Sequence, residues 1–433
     1  MLDIKLIREK PDFVRARLAT RHAGDEQKLD RLLAIDQEWR RALAELESAQ
    51  AQRKKLAREI GELLTKEQGR AAEQLKEQTK ALKTKIDELE AKVRTLEAER
   101  KSLLLQIPNL PHESVPMGRD ASENRVVREF GTKPQFNFQP KTHVELCEKL
   151  GLIDFERATK ISGSGFILFT GLGAKLERAL IQFMLDLHTS KHGYKEISPP
   201  YLVGPHCMEG VGQFPKFVDQ YYAVREGLDE STLGKLYLIP TAETPLANIH
   251  REEILSESQL PIRYCAYTPC FRCEAGAAGV STRGLIRVHQ FDKVELVKIV
   301  PPETGYQELE SMVNDAEKVL QLLGLHYRVV LLCTGDMGFA SAKTYDIEVW
   351  APGQGAYLEV SSVSNCEDYQ ARRMNLRYKT ASGHNVFPHI LNGSGTALPR
   401  LYVALLETYQ QEDGRVMIPE VLRPYMGCEY LSP

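Results

Sequence analysis

A long segment without proline constrains the fold of this chain most. Between Leu29 and Ile107 the composition is dominated by Ala, Leu, Glu, Lys, Gln and Arg, which favour helices. Mostly apolar residues recur there at alternating spacings of four and three, in two series separated by Gly69. Because glycine suits a tight reversal, we predict two antiparallel helices of about 35 residues, each about 50 Å long, forming a coiled-coil arm over residues 29–107. The first series comprises Leu29, Leu32, Asp36, Trp39, Leu43, Leu46, Gln50, Arg53, Ala57, Ile60 and Leu64, and the second comprises Leu75, Thr79, Leu82, Ile86, Leu89, Val93, Leu96, Arg100, Leu103 and Ile107.

Charge is unevenly distributed along this arm. Residues 50–85 contain ten basic and five acidic side chains, whereas the whole chain has a net charge of −3. A solvated helical surface would also carry many charges. A hairpin with a basic tip would instead suit contact with a phosphate backbone. The candidate nucleic-acid ligands are Arg53, Lys54, Lys55 and Arg58.

The remainder of the chain lacks the signs of a parallel nucleotide-binding sheet. Neither a GxGxxG loop nor a GxxxxGK[ST] loop is present, and helix and strand signals do not alternate regularly. The pattern predicts an α+β protein with a mostly antiparallel sheet and flanking helices. Residues 108–141 contain five prolines. We therefore predict an N-terminal domain over residues 1–110, a connector over 111–141 and a catalytic domain over 142–433.

Eight cysteines are scattered through the chain, as expected of reduced thiols in a cytoplasmic protein. The pair Cys270-x-x-Cys273 could be half of a zinc or redox site, but no second pair completes it, so small core residues are the simpler interpretation. No apolar run approaches the ~20 residues that span a bilayer, and the N-terminus lacks a signal-peptide core. We expect no membrane association.

The segment Thr268–Leu296 concentrates charged side chains. Its two ends, Pro269–Glu274 and Leu285–Glu295, alternate as strands do, and the Gly- and Ala-rich residues 275–284 between them are typical of a hairpin loop. A solvated strand face is one interpretation. If this face is buried instead, removing its cations and carboxylate from water costs more than an ordinary apolar core would tolerate. That cost favours a functional site. Alternation predicts that one strand face carries Arg287, His289, Phe291, Lys293 and Glu295.

This segment closely resembles motif 2 of class II aminoacyl-tRNA synthetases, in the form found in the seryl-tRNA synthetase family. The resemblance implies attack of an amino-acid carboxylate on the α-phosphate of ATP. That nucleophile is ionised at pH 7, so the reaction needs charge neutralisation and placement rather than a general base. It implies that Arg272 binds the α-phosphate and the amino-acid carboxylate, that Glu274 meets the adenine amino group, and that Arg287 lies near the phosphates. Phe291 is expected to stack on the purine.

Two further segments resemble motifs of the same family. Leu358–Ser362 resembles its E[IV]SS strand, which implies ATP contacts from Glu359, Val360, Ser361 and Ser362, and a Mg²⁺ ion held by Glu359 and Ser362. On its own this segment would be an ordinary edge strand. Asn392–Gly395, with Arg400 and Glu407, resembles motif 3, in which glycines allow a helix to start close to the nucleotide. Arg400 would cover the adenine face opposite Phe291. Pro399 stands where the family usually has glycine, and it suits a first helical turn.

Serine specificity is implied by the same resemblance. The implied serine ligands are Thr241, Ala242, Glu243, Arg272, Glu295 and Ser394. Alanine would leave these polar groups unpaired, and the added methyl of threonine would be rejected. Residues 176–194 read as an amphipathic helix, and with Pro200 they loosely resemble motif 1, which implies a homodimer. A helix that only packs on its own core remains an alternative. Residues 210–217 read as a Gly- and Pro-containing loop over the site.

The resemblance therefore implies activation of L-serine with ATP and transfer to the 3′ end of tRNA(Ser), and of tRNA(Sec) where the source has it. Two alternatives are an amino-acid-activating ligase that charges a carrier protein and a paralogue that only binds. The arm argues against the first, because ligases of that kind lack it. Joint presence of Arg272, Glu274 and Arg400 with the other motif residues argues against the second.

Overall fold

A computed structural model describes residues 1–66, 68–274 and 284–432 of the chain. The chain forms two compact units. One comprises Leu2–Ala19 and Gly24–Pro108, and the other comprises Met1, Thr20–Ala23 and the chain from Asn109 onward. Nearly all of the predicted hairpin loop at 275–284 lies outside the described residues. Within the described residues, no helix has the length and apolar character needed to cross a membrane.

The first unit is entirely helical. Two short helices, α1 (Ile4–Glu9) and α2 (Pro11–Ala19), precede two long ones, α3 (Lys28–Thr65) and α4 (Gly69–Leu105). The long helices contain 38 and 37 residues and pack against each other over much of their length. The predicted hairpin of two long helices is confirmed. Gly69, which was expected in the reversal between them, is the first residue of α4.

At four of the eleven predicted positions on α3, the more buried residue is the one immediately before the predicted residue. Leu46 and Ala49 pack with Ile86 and Leu89 of α4, as a four-residue cluster of buried side chains. The more buried positions on α3 are Ala42, Ala49, Leu56 and Leu63, where the prediction used Leu43, Gln50, Ala57 and Leu64. Ala42 and Ala49 are small enough to fit between the two helices. A prediction that follows large apolar residues along the sequence does not select such positions. The predicted α4 series is buried or half-buried as expected.

Two polar interruptions of the seam are partners. The Asp36 side chain is almost fully buried and accepts hydrogen bonds from Arg100 Nη1 on the opposite helix and Arg40 Nε on its own helix, each at 3.1 Å. The Arg100 guanidinium also lies 3.7 Å from the centre of the Trp39 ring. A charged pair within the seam costs desolvation but leaves neither charge unpaired, and it favours one register of the two helices.

The second unit contains nine described helices and sixteen described strands. The helices are α5 (His143–Leu150), α6 (Phe155–Ser162), α7 (Gly171–Ser190), α8 (Pro205–Gly210), α9 (Glu243–Asn248), α10 (Gly305–Leu322), α11 (Tyr369–Met374), α12 (Leu398–Tyr409) and α13 (Arg423–Met426). The strands are β1 (Arg125–Phe130), β2 (Lys195–Glu196), β3 (Leu202–Val203), β4 (Ala223–Val224), β5 (Leu236–Leu238), β6 (Ile254–Ser256), β7 (Ile262–Phe271), β8 (Gln290–Val300), β9 (Tyr327–Leu331), β10 (Lys343–Ala351), β11 (Ala356–Asn365), β12 (Arg377–Lys379), β13 (Asn385–Val386), β14 (His389–Ala397), β15 (Val416–Met417) and β16 (Tyr430–Leu431).

Eight strands form one sheet in the order β1-β9-β10-β11-β14-β8-β7-β2. Every neighbouring pair is antiparallel except β2 with β7, which confirms the predicted α+β fold. Edge strand β1 comes from residues 111–141, where the sequence indicated only a connector. Helix α7 begins earlier and ends earlier than the predicted 176–194.

The two faces of this sheet have different roles. Along β8, Val294 and Leu296 face a large apolar core that includes residues of α7, α10 and α12. On the other face, Val297 and Ile299 pack into a second apolar cluster with residues of α9 and α11. Glu295, on the same face as Val297, lies where this cluster ends. The face that carries Glu295 and Val297 therefore has a polar region next to the second apolar cluster.

Candidate active site

A cavity of about 450 Å³ opens on that polar region. Its walls come from the ends of β7 and β8, from β11 and β14, and from the start of α12. The residues that line it are Thr241, Glu243, Arg272, Glu274, Leu285, Ile286, Arg287, Val288, Phe291, Lys293, Glu295, Glu359, Val360, Ser362, Asn392, Ser394, Ala397, Pro399 and Arg400. Of the implied ATP and serine ligands, only Ala242 and Ser361 are not part of this lining.

Strand β8 supplies alternate residues to the cavity. Phe291, Lys293 and Glu295 line it, as the alternation predicted. The Arg272 guanidinium, just beyond β7, lies 5.1 Å from the centre of the Phe291 ring. Arg272 Nε also donates to the Pro240 carbonyl oxygen at 3.4 Å. One cation and one aromatic face are thus held side by side on the cavity wall.

The residues before β8 do not continue its alternation. The strand begins at Gln290, not at Leu285 as predicted, and Ile286 and Val288 line the cavity together with Arg287. His289 is directed elsewhere. Its Nδ1 lies 3.0 Å from the Arg272 carbonyl oxygen, and its ring packs against Phe166. The prediction for His289 is therefore wrong, because the chain leaves the strand conformation at this point.

Glu274 and Arg287 form an ion pair at the cavity edge. Glu274 has a backbone φ of 49°, in the left-handed region that residues other than glycine rarely adopt. Arg287 Nε donates a hydrogen bond to the Glu274 carboxylate. The ion pair therefore fixes the positions of both side chains at the cavity edge.

A network of polar groups lies deep in the cavity. The Lys293 ammonium forms an ion pair with Glu295 and donates to Thr241 Oγ1 at 2.8 Å. Thr241 Oγ1 lies 3.3 Å from Glu295 Oε2. Both Lys293 and Glu295 are nearly inaccessible to solvent. Because the pair is hydrogen-bonded as well as charge-balanced, its burial is tolerated.

Glu243 lies next to this network. Gln370 Nε2 donates to Glu243 Oε1 at 2.7 Å, and the backbone N–H of Glu243 donates to Thr241 Oγ1 at 3.2 Å. Burial, followed by repulsion from Glu295, raises the pKa of Glu243 to about 7. Glu243 is thus a carboxyl group that is partly protonated near neutral pH.

Arg400 and Glu359 face each other across the opening. Arg400 Nη1 donates to the Glu359 carbonyl oxygen at 2.9 Å and lies 3.4 Å from its carboxylate oxygen Oε2. Both side chains are partly exposed. Arg400 lies in the first turn of α12, directly after Pro399, which occupies the helix start that suits proline. The cavity wall here is held by backbone contacts as well as by charge.

The motif residues Asn392–Gly395 lie on β14 and not at a helix start. Ser394 lines the cavity, while its carbonyl oxygen accepts a hydrogen bond of 2.5 Å from buried Ser361. A Cβ on Gly395 would lie 2.7 Å from His188 Nε2 on α7. Glycine is therefore required at this position by packing between β14 and α7, whereas the sequence suggested close approach of a helix to the nucleotide.

A second cavity of about 510 Å³ adjoins the first and shares Glu243, Glu359, Ser362 and Asn392 with it. Gly212, Gln213 and Phe217, from the predicted loop 210–217, line this second cavity. Asp346 also lies here, opposite Ser362 in the pairing of β10 and β11. Burial and the nearby Glu359 charge raise the pKa of Asp346 well above its usual range, and its Oδ1 has no hydrogen-bond partner among the described residues.

Three of these polar residues were not among the predicted ligands: Lys293, Asp346 and Gln370. Lys293 was expected on the strand face of Phe291 and Glu295, but no role was assigned to it. Asp346, on β10, lines the second cavity, and Gln370, on α11, contacts the first only through its hydrogen bond to Glu243. No sequence signal identifies them, since their positions depend on strand pairing and helix packing.

Comparison with known proteins agrees with this fold and site. Residues 222–409 match the tRNA synthetase class II core domain (G, H, P, S and T), and residues 1–111 match the Seryl-tRNA synthetase N-terminal domain. The antiparallel sheet with its motif residues thus defines a class II aminoacyl-tRNA synthetase.

Relatives at higher similarity identify the family within this class. The chain is 54% identical over 431 residues to a serine–tRNA ligase of Methylacidiphilum infernorum and 53% identical over 434 residues to one of Akkermansia muciniphila, and each match covers 99–100% of both chains. The crystal structure of seryl-tRNA synthetase from Pyrococcus horikoshii complexed with ATP is 40% identical, superposes with a TM-score of 0.92 and is covered completely. The chain belongs to the seryl-tRNA synthetase family, and its enzymatic class is serine–tRNA ligase.

Proposed function

We propose that the 450 Å³ cavity binds ATP and L-serine together and forms seryl-adenylate. The observation that supports this most is the arrangement of charge, with Arg272, Arg287 and Arg400 on the cavity walls and carboxylates at its deep end. Arginines stabilise the negative charge that builds up on the α-phosphate as the serine carboxylate attacks it. No proton has to be removed from that carboxylate at neutral pH, so positioning carries most of the catalysis.

The adenine is held between Phe291 and Arg400, with Glu274 accepting from its amino group. Phe291 is already in contact with the Arg272 cation, which leaves its other face for the purine. The ion pair between Glu274 and Arg287 has to open when ATP enters. Opening replaces one ion pair by two contacts with ATP. Glu274 accepts a hydrogen bond from the base, and Arg287 pairs with a phosphate.

Serine occupies the deep end of the cavity, formed by Thr241, Glu243, Glu295 and Ser394, with its carboxylate on Arg272. These groups satisfy an ammonium and a hydroxyl. A substrate without the hydroxyl leaves buried polar atoms unpaired, which costs about 1–3 kcal/mol for each group. Ser361 supports this site through its hydrogen bond to the Ser394 carbonyl oxygen, and Ala242 lies between Thr241 and Glu243 in the chain.

A divalent cation fits beside Glu359 and Ser362. Their carboxylate and hydroxyl oxygens both line the cavity, and oxygen ligands are those that Mg²⁺ prefers. The unpartnered Oδ1 of Asp346, beside Ser362, gives the region further oxygen capacity. When bound, Mg²⁺ would neutralise phosphate charge. Glu359 also contacts Arg400, so the same carboxylate orients the cation and the guanidinium.

For the second half of the reaction, we propose that Arg53, Lys54, Lys55 and Arg58 of the helical hairpin bind the backbone of tRNA(Ser). All four side chains are exposed, which leaves them accessible to phosphates. Where a source has tRNA(Sec), the same surface would serve it. We further propose a homodimer formed through the sheet unit, to be checked by light scattering. A cytoplasmic site of action is consistent with eight cysteines that are all free thiols.

Serine-dependent exchange of pyrophosphate into ATP tests the proposal directly. We expect exchange with L-serine, and rates at least about 100-fold lower with alanine, threonine and glycine. Equal exchange with alanine would contradict the serine site. Exchange that is absent with every amino acid would contradict adenylate formation itself and would favour a paralogue that only binds.

A further inference from the structure

Two carboxyl groups and one ammonium share the deep end of the cavity. Glu243 and Glu295 both line it, and Lys293 lies beside them. The ammonium is already engaged, since it forms an ion pair with Glu295 and a 2.8 Å hydrogen bond to Thr241 Oγ1. Lys293 is therefore a positioning residue that neutralises Glu295 and orients two of the proposed serine ligands.

Glu243 has no such partner. Its hydrogen bonds come from Gln370, a neutral amide, and within the described chain no Lys or Arg forms an ion pair with it. The charged and titratable groups that face it are Glu295, Lys293, Arg272, Tyr221 and Cys366. Burial and the Glu295 charge outweigh the two cations, so the pKa of Glu243 rises to about 7. Glu243 therefore keeps its proton to a higher pH than an ordinary glutamate does.

We propose that L-serine binds with release of a proton from Glu243, whose carboxylate then pairs with the serine ammonium. The inference rests on the proposed serine site. Lys293 neutralises only Glu295, and the serine ammonium supplies the positive charge that pairs with Glu243. The O–H bond of the Glu243 carboxyl breaks, its proton passes to the buffer, and the serine ammonium keeps all of its own protons. No oxidant or further reactant is involved.

This coupling makes serine affinity dependent on pH. Only the ionised form of Glu243 pairs with serine, so the apparent Kd rises as pH falls through the pKa of Glu243. With that pKa at about 7, affinity at pH 6 is about tenfold weaker than at pH 8. Released protons number about 0.9 per serine at pH 6, about 0.5 at pH 7 and about 0.1 at pH 8.

Isothermal titration calorimetry measures the proton directly. L-serine is titrated into the full-length protein at pH 6, 7 and 8, in pairs of buffers that differ in ionisation enthalpy, such as PIPES and imidazole near pH 7. A released proton is taken up by the buffer. The observed heat therefore changes with buffer ionisation enthalpy, and the slope is the number of protons. This measurement needs no variant, so it does not depend on a mutant protein folding.

Two variants assign the proton. Glu243→Gln keeps the shape and the hydrogen bond to Gln370 but cannot ionise. We expect its serine binding to be independent of buffer and pH, with affinity at pH 8 about 100-fold weaker than in the wild type. Glu177→Gln is the matched control. Glu177 is a second carboxyl whose pKa is raised by burial; it is hydrogen-bonded to Asp292 and lies outside the 450 Å³ cavity. Its variant should release protons as the wild type does.

The possible results separate this inference from the proposed function. Serine binding with a buffer-dependent heat that disappears in Glu243→Gln supports the inference. Serine binding with no buffer dependence overturns it and leaves the serine site intact. A buffer dependence that persists in Glu243→Gln also overturns it, because another group then releases the proton. No serine binding at all overturns the proposed serine site and this inference together.

Discussion

The most demanding test of the helical hairpin concerns two exposed cations near its tip. Lys54 and Arg58 lie one turn apart on the same face of α3, and within the described chain neither forms an ion pair. We expect that changing both to glutamine weakens tRNA(Ser) binding. The change removes the charge but keeps a polar side chain of similar helix propensity, so α3 should remain folded. Serine activation should be unaffected, because that step does not require tRNA.

The magnitude follows from counterion release. Each neutralised phosphate contributes a slope of about −0.9 to the dependence of log affinity on log salt. If all four proposed cations contact phosphates, the wild-type slope is about −3.6, and binding weakens about 150-fold between 50 and 200 mM salt. With two contacts removed the slope falls to about −1.8, and the same change in salt weakens binding only about 12-fold.

A matched control removes the same charge elsewhere on the hairpin. Arg31 and Lys92 are exposed cations that already pair across the two helices, with Glu99 at 2.6 Å and Glu38 at 2.9 Å. Changing both to glutamine should leave the salt slope at its wild-type value, and loss of exposed pairs of this kind costs about 1 kcal/mol of stability or less. Fluorescence anisotropy with labelled tRNA(Ser) at several salt concentrations measures each slope. An unchanged slope in the tip variant, or an equal loss in the control, would refute the reasoning.

Three further expectations concern the cavity and the hairpin seam. Arg400→Ala should lower the rate of ATP–pyrophosphate exchange about 100-fold or more, because it removes a cation from the nucleotide site, and near-normal exchange would exclude that role. Glu295→Gln should raise the KM for serine much more than the KM for ATP in the same assay, and equal effects would show that Glu295 is structural. Asp36→Ala should lower the free energy of unfolding by about 2 kcal/mol in urea titrations followed by circular dichroism. The expected loss is below that for a fully buried ion pair because Arg100 and Arg40 are partly exposed, and an unchanged midpoint would indicate that the Asp36–Arg100 pair contributes nothing.

Local pattern was sufficient for the hairpin and for most of the cavity lining. Helix periodicity and the absence of proline determine where α3 and α4 run, because their hydrogen bonds and seam are local in sequence. Strand alternation was sufficient for Phe291, Lys293 and Glu295 to be expected on one face. Resemblance in short motifs added Arg272, Glu359, Ser394 and Arg400, which come from three separated segments and do line one cavity.

Long-range packing determined the rest. Asp346 reaches the second cavity because β10 pairs with β11 in one register. Gln370, on α11, donates a hydrogen bond to Glu243 and so supports a cavity residue without lining the cavity itself. The His289 side chain is directed away from the cavity because β8 begins only at Gln290, so His289 does not share the strand's alternation. The raised pKa of Glu243 arises from burial and from the charge of Glu295, 52 residues away in sequence. Periodicity records which side of a strand or helix a residue occupies, whereas desolvation and charge coupling depend on neighbours that only the folded sheet brings together.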